Sequence, residues 1–295
     1  WISMNIENKL KQLLNTSVNL NNQILELLTE IKNNNYQKFD YLNNISIIDL
    51  IKSEDWPEAV KSELVINPSD LNEKKERGYN IIHNYVEEDL KDLNFLDYGC
   101  GDGYTIDTAL KSGAKNAIGY DIKHHESWNN ENFTTNFEEI KNNEKYDVVL
   151  LFDVLDHLIN ENPEDVLKNI NSIMKKNGRL YVRFHPYTSR SATHCYHKLN
   201  KAYAHLVLSD NELLQFLNND DFIQNNGPTR PIKTYEEYIR NSGFIINERI
   251  EITEKPEEFF KSEKISNLIK NKIGFNDFPE FQMSINFIDY KLIKK

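Results

Sequence analysis

The stretch "FLDYGCGDGYTIDTAL", Phe95 to Leu110, carries the decision about the fold. An apolar run meets an acid, glycines follow at 99, 101 and 103, and a segment with helical spacing begins directly behind them. Such glycines let the main chain turn tightly beside a ligand, while the unpaired N–H groups at the start of the helix face it. Strand, Gly-rich turn and helix in this order serve two ligand classes, dinucleotides and S-adenosylmethionine. The flanking residues separate them.

A pyrophosphate-binding fingerprint reads G-x-G-x-x-G with no acid just ahead of it. Here the order is Asp97-x-Gly99-x-Gly101-x-Gly103. A carboxylate at 97 would repel a pyrophosphate and suits the methionyl ammonium of S-adenosylmethionine. A second carboxylate, Asp121, closes the next apolar strand, "AIGYDI", where it can accept both hydroxyls of a ribose.

From Asn94 onward, strand and helix patterns alternate, which predicts a parallel sheet with helices on both faces. "NFLDYG" is strand one, "AIGYDI" strand two and "NFTTNF" a short strand three. "YDVVLLFD" is a nearly continuous apolar run, as a strand buried on both faces requires. The helix "PEDVLKNINSIMKK" takes Asn162 as N-cap and Pro163 in its first turn, and ends on lysines before Gly178. Strand five is "GRLYVRFH". Some forty-five irregular residues follow, with helices expected around 199–207 and from a capping box at Ser209 and Glu212. Helix "TYEEYIRNSG", strand "FIINERIEI", a polar helix and the closing strand "FQMSINFIDYKLI" come last.

Ahead of the first strand, residues 46–92 read as a helical linker or cap, with "NEKKERGYNIIHNYVEEDL" as one amphipathic helix. Ile6, Leu10, Leu13, Ser17, Leu20, Ile24, Leu27 and Ile31 keep the 4-3 spacing of a heptad seam. That spacing predicts a helix within residues 1–45 and a homo-oligomer assembled through it as a coiled coil. The competing explanation is one amphipathic helix packed on its own domain, which needs the same stripe.

Residues 93–295 resemble the class I S-adenosylmethionine-dependent methyltransferases. Asp97 to Gly103 is similar to their first motif, Asp121 to their ribose-binding acid, "NFEEI" to their adenine segment, and "YDVVLLFDVLDHL" and "IMKKNGRLYV" to their fourth- and fifth-strand motifs. The resemblance implies an α/β, Rossmann-like sheet of seven strands in the order 3-2-1-4-5-7-6. The N-terminal helices would be an extension, and about 186–232 a lid insertion after strand five. It implies S-adenosylmethionine as cofactor, held by Asp97, Gly99, Gly101, Gly103, Asp121, Ile122, Asn136, Phe137, Phe152 and Asp153. Asn136 stands where the family often has Asp, so an amide oxygen would take the adenine N6 and Phe137 would flank the ring.

The acceptor should lie beyond the carboxyl ends of strands four and five. Those ends supply Asp153, Asp156 and His157, then Phe184, His185, Tyr187 and Arg190. A neutral imidazole is the natural base for a hydroxyl proton, so His185 is the first candidate and His157 the second, with Tyr187 and Arg190 beside them. His194, His197 and His205 fall in the same segment, where chance clustering on a helix is the plain alternative. "DVLDH" is similar in spacing to the magnesium sites of quinone-biosynthesis and small-RNA 2′-O-methyltransferases. That resemblance would make Asp153, Asp156 and His157 ligands of Mg²⁺, which would acidify the acceptor hydroxyl. Both families carry Glu where this chain has Asp, and a related triplet occurs in metal-free members. The expectation is therefore a site without metal.

The formal net charge of −11 disfavours nonspecific attraction to nucleic acid or to an anionic membrane face. Cys100 and Cys195 are the two cysteines, one inside the Gly-rich loop, which predicts a reducing compartment and no structural disulfide. No run approaches the roughly 18 apolar residues of a membrane span, and the chain start lacks a secretory segment, so a cytoplasmic protein is expected. The segment after strand five is rich in Tyr, Ser, Thr, Arg and His. It therefore points to O-methylation of a small-molecule or glycan-like hydroxylated acceptor. An RNA or nucleoside methyltransferase, with Arg190, Lys198 and Lys201 on phosphates, is the alternative. A cofactor-binding scaffold without turnover is another.

Overall fold

A computed structural model describes residues 47–54, 56–60, 70–128, 131–142, 146–158, 161–192, 199–209, 212–213, 229–254, 268 and 283–295. The chain divides into two compact units, residues 1–53 and 54–295. In the first, the described element is helix α1 (Ile47–Lys52). The heptad seam lies outside the described residues. Among those that are described, no helix is long and apolar enough to cross a membrane.

The second unit is built on seven strands: β1 (Asn94–Tyr98), β2 (Asn116–Tyr120), β3 (Phe133–Thr134), β4 (Tyr146–Phe152), β5 (Met174–Phe184), β6 (Phe244–Thr253) and β7 (Ile285–Lys294). Their order in the sheet is β3-β2-β1-β4-β5-β7-β6, as the resemblance implies. β1 to β5 run parallel, and β7 lies antiparallel between β5 and β6. The apolar run of β4 alternates between two cores. Val149 and Leu151 face α5 (Pro163–Ile173) and α7 (Ile232–Asn241), which bring Val166, Leu167, Ile170, Ile173, Tyr235 and Ile239 at helical spacing. Val148 and Leu150 face α3 (Tyr104–Lys111) and the segment ahead of β1. A strand covered on both sides leaves function to its ends.

Three elements differ from the sequence reading. The expected single helix before β1 is α2 (Leu71–Asn80) followed by a π-helical segment, Ile81–Val86. Ile81, Ile82, Tyr85 and Val86 all face the core, and the wider i→i+5 turn, closed by Glu87 N–H on the Ile82 carbonyl at 3.1 Å, accommodates them. Helix α5 stops at Ile173, so Lys175 and Lys176 belong to β5, where the register shifts and Asn177 turns left-handed. The cation at the helix end comes instead from β7: Lys294 Nζ donates to the carbonyls of Asn171 and Met174. The helix expected around 199–207 is α6 (Ala204–Val207), because Tyr203 is left-handed (φ 58°) and blocks its start. The capping box is present, with Ser209 N–H on Glu212 Oε2 at 2.8 Å and Glu212 N–H on Ser209 Oγ at 3.4 Å. Between β3 and β4 lies α4 (Phe137–Asn142).

Candidate active site

The Gly-rich loop joins β1 to α3 with Gly99, Gly101 and Gly103 all at positive φ (84°, 49° and 78°). At Gly103 a Cβ would also run into the Phe133 ring, so both backbone angle and space demand glycine there. Asp97, at the end of β1, is buried and accepts a hydrogen bond from the Thr105 hydroxyl. Burial pushes its carboxyl up to about 7; the Thr105 hydrogen bond opposes this, nearby Asp121 adds to it, and Arg77 opposes it. Asp121 Oδ2 accepts Gly101 N–H at 2.9 Å and its Oδ1 accepts Lys123 N–H at 3.1 Å. His125 stands between Asp121 and Asp102, at 3.8 and 3.7 Å. Trp128 folds back over the loop: its indole N–H donates to Gly101 O at 2.8 Å, and its ring stacks on Phe133 at 5.1 Å. A cavity of about 320 Å³ opens there, lined by His124, Trp128, Phe133, Thr134, Thr135 and Glu139.

The expected adenine residues are placed less directly. Asn136 Oδ1 caps α4 by accepting Glu138 N–H at 3.1 Å. Phe137 packs on Tyr120 and Tyr98 (5.9 and 6.4 Å between rings), and Ile122 is 70% exposed.

A second cluster forms at the ends of β4, β5 and β7. Gly78 lets α2 lie directly on the start of α3, since a Cβ there would fall 2.8 Å from the Tyr104 carbonyl. That close approach carries Arg77 to Asp153, 2.9 Å away, and to within 5.8 Å of the Phe152 ring centroid. Asp153 is a non-glycine residue at φ 56°, the kind of sparsely populated backbone that concentrates at functional positions. Arg183 forms a bidentate pair with Asp289 (2.6 Å for each contact). Its guanidinium lies 4.7, 4.9 and 5.2 Å from the rings of Phe152, Tyr85 and Phe287.

His185 is buried just past β5. Its N–H donates to Asp156 Oδ2 at 3.0 Å, its Nδ1 is 2.9 Å from the Asn286 carbonyl, and its ring lies 4.0 Å from Phe287. A carbonyl only accepts, so Nδ1 carries the hydrogen and the lone pair of the neutral ring is on Nε2.

The "DVLDH" group does not assemble as a metal-ligand set. Asp153 turns to Arg77, Asp156 is fully buried under the His185 backbone, and no three of His, Cys, Asp and Glu converge among the described residues.

Five described polar residues after β5, Tyr187, Ser189, Arg190, Ser191 and His205, are engaged with neighbouring backbone or side chains. Ser189 and Ser191 donate to Asn286 Oδ1 (3.0 and 3.3 Å), Arg190 pairs with Glu254 at 2.5 Å, and Tyr187 takes Arg230 O at 3.0 Å through its N–H. His205 donates to the Tyr187 carbonyl at 2.8 Å, and burial pushes its pKa down to about 4, so it is neutral. These contacts hold the segment together. His157 sits at the end of a 3₁₀ turn, Leu155–His157; His194 and His197 lie outside the described residues.

Arg77, Trp128, Arg183 and Tyr85 were not singled out by the sequence. Apart from their residue type, no local spacing marks them; they are brought in by tertiary packing.

A methyltransferase-domain family profile matches residues 71–244. Among curated proteins, the ubiquinone biosynthesis O-methyltransferase of Rickettsia bellii is 31% identical over 128 residues, covering 38% of this chain and 48% of that protein. The mitochondrial ubiquinone biosynthesis O-methyltransferase of Dictyostelium discoideum is 26% identical over 121 residues, covering 34% and 37%. The chain thus spans about half or less of the relatives it matches. Among solved structures, a SAM-dependent methyltransferase from Archaeoglobus fulgidus aligns with a TM-score of 0.46 at 16% identity, over 75% of this chain and 94% of that one. Magnesium protoporphyrin IX methyltransferase of Synechocystis PCC 6803, with bound SAH, aligns at 0.44 and 16%, over 75% and 83%. The chain belongs to the methyltransferase-domain family, and its sheet has the strand order that the resemblance to class I, S-adenosylmethionine-dependent methyltransferases implies.

Proposed function

We propose that this methyltransferase acts on a hydroxyl oxygen of a small-molecule acceptor, with His185 as the base. The observation that carries the reading is the His185 tautomer: Nδ1–H is committed to the Asn286 carbonyl at 2.9 Å, which leaves Nε2 as the proton acceptor. The name O-methyltransferase of the matching relatives supports oxygen as the acceptor atom.

The residues fit the cofactor. Asp121 would exchange Gly101 N–H for the ribose hydroxyls, and the cavity beside Trp128 and Phe133 would take the adenine. Asp97 and Arg77 would meet the methionyl ammonium and carboxylate, whose charges oppose theirs. Bound there, S-adenosylmethionine supplies a methyl group already activated by its sulfonium. What is left to the protein is orientation and one proton. Phe152 and Phe287 would orient the acceptor at the sheet edge. His185 Nε2 would take the hydroxyl proton, and the Asn286 carbonyl would stabilise the imidazolium through Nδ1–H. Asp156 keeps the ring in place by holding its backbone.

Calorimetric titration with S-adenosylhomocysteine tests the cofactor half. Asp121→Ala should weaken binding by about 100-fold or more, since two hydrogen bonds to a charged group are lost. His185→Gln should leave that affinity unchanged and lower the transfer rate by about 10²–10⁴. Equal rates would overturn His185 as base.

A further inference from the structure

Tyr85 stands out against the pairing around it. Its hydroxyl is buried and has no hydrogen-bond partner, whereas buried polar atoms ordinarily have one. The nearby polar groups are engaged with each other: Arg183 with Asp289, Arg77 with Asp153, and Glu88 with both Tyr181 (2.5 Å) and Arg179 (2.7 Å). The ring sits edge-on to Phe152 at 5.1 Å and under the Arg183 guanidinium. Asp289, Arg183 and Asp153 are its charged neighbours.

The backbone gives a second, independent observation. Tyr85 lies on the π-helical segment, a rare conformation that occurs frequently at functional sites. The segment ends at Glu87 in the left-handed region (φ 53°). Flat groups then run from Tyr85 to the proposed base: the Phe152 ring, the Arg183 guanidinium that bridges it to Phe287, and Phe287 against His185. Phe152 and Phe287 are only half-buried, so this wall is reachable.

We propose that Tyr85 is an acceptor-binding residue. Its hydroxyl hydrogen-bonds an oxygen of a small, planar, mostly apolar acceptor seated against Phe152 and Phe287. A sugar would need many polar partners, whereas the described charged side chains around Tyr85, Arg183 with Asp289 and Arg77 with Asp153, are paired with one another. A hydroxylated aromatic ring needs few, and its faces match the wall. The assignment rests on the O-methylation reading and extends it to the acceptor's shape and anchor.

The test uses the full chain saturated with S-adenosylhomocysteine and catechol as the probe, followed by calorimetry, in wild type and Tyr85→Phe. Melting temperature checks that the variant folds. Catechol should bind wild type, bind the variant about tenfold more weakly, and leave S-adenosylhomocysteine affinity within twofold. Equal catechol affinities, or no catechol binding to the loaded wild type, overturn the proposal. A parallel loss of S-adenosylhomocysteine affinity also overturns it, by making Tyr85 a cofactor residue. Failure of the underlying reading shows itself separately, as wild type that does not bind S-adenosylhomocysteine at all or as unchanged transfer by His185→Gln.

Discussion

Affinity for S-adenosylhomocysteine should depend on pH through Asp97, rising by about 25-fold from pH 5.5 to pH 7.5 and levelling above that. Burial raises this carboxyl to about 7 in the folded protein, against about 3.9 in an unfolded chain. Between those values the folded state keeps a proton that the unfolded state has released. Stability from this group is therefore full below pH 4 and declines as pH rises through 7, by about 4 kcal/mol over the window. The ligand's ammonium requires the ionised carboxylate, so below pH 7 binding must first remove that proton. Calorimetry in two buffers of different ionisation enthalpy reads the release directly: close to one proton at pH 6, about half at pH 7, almost none at pH 8. Asp97→Asn should flatten both the affinity profile and the proton release, and should stabilise the unliganded protein at pH 8. A flat wild-type profile would refute the argument. So would a slope surviving in Asp97→Asn.

Gly78→Ala places a methyl 2.8 Å from the Tyr104 carbonyl, so α2 must lift from α3 and Arg77 must leave Asp153. Overpacking of this kind costs about 1–3 kcal/mol, and S-adenosylhomocysteine affinity should fall with the melting temperature. Arg183→Met strands the buried Asp289 carboxylate and should cost about 3–5 kcal/mol in urea unfolding. The double variant Arg183→Met/Asp289→Leu should recover most of that loss; if it is no better than the single variant, the pair is not the source of the cost.

The sheet was legible because its signals are local. An uninterrupted apolar β4, a Gly-rich turn at positive φ and an acid at the end of β1 each fix their own backbone, and the strand order came with the family those motifs resemble. The π-helical segment was not, because an apolar stripe at 81, 82, 85 and 86 is also compatible with an α-helix. The geometry of "DVLDH" was hidden for a related reason. Its spacing is similar to that of magnesium sites, but Asp153 is left-handed and the following residues form a 3₁₀ turn, which sends Asp156 inward to His185. Ser189 and Ser191 looked ligand-facing by composition alone, and only their tertiary partner, Asn286, shows where their hydroxyls go. Arg77 and Tyr85 belong to the cluster through packing across the sheet, to which sequence periodicity is blind.

The placement of β7 has a consequence for how the chain is made. The partners Arg183 and Asp289 are 106 residues apart, so at about 5–20 residues per second β5 waits on the order of 5–20 s on the ribosome before its neighbour exists. An uncovered strand edge is a template for other chains. β5 meets that interval with Lys176 and with Arg183, whose charge waits for Asp289, while Lys175 and Arg179 find Asp147 and Glu88 in chain already made. Arg183 thus guards against aggregation first, and joins the wall of the site only when Asp289 arrives to neutralise it.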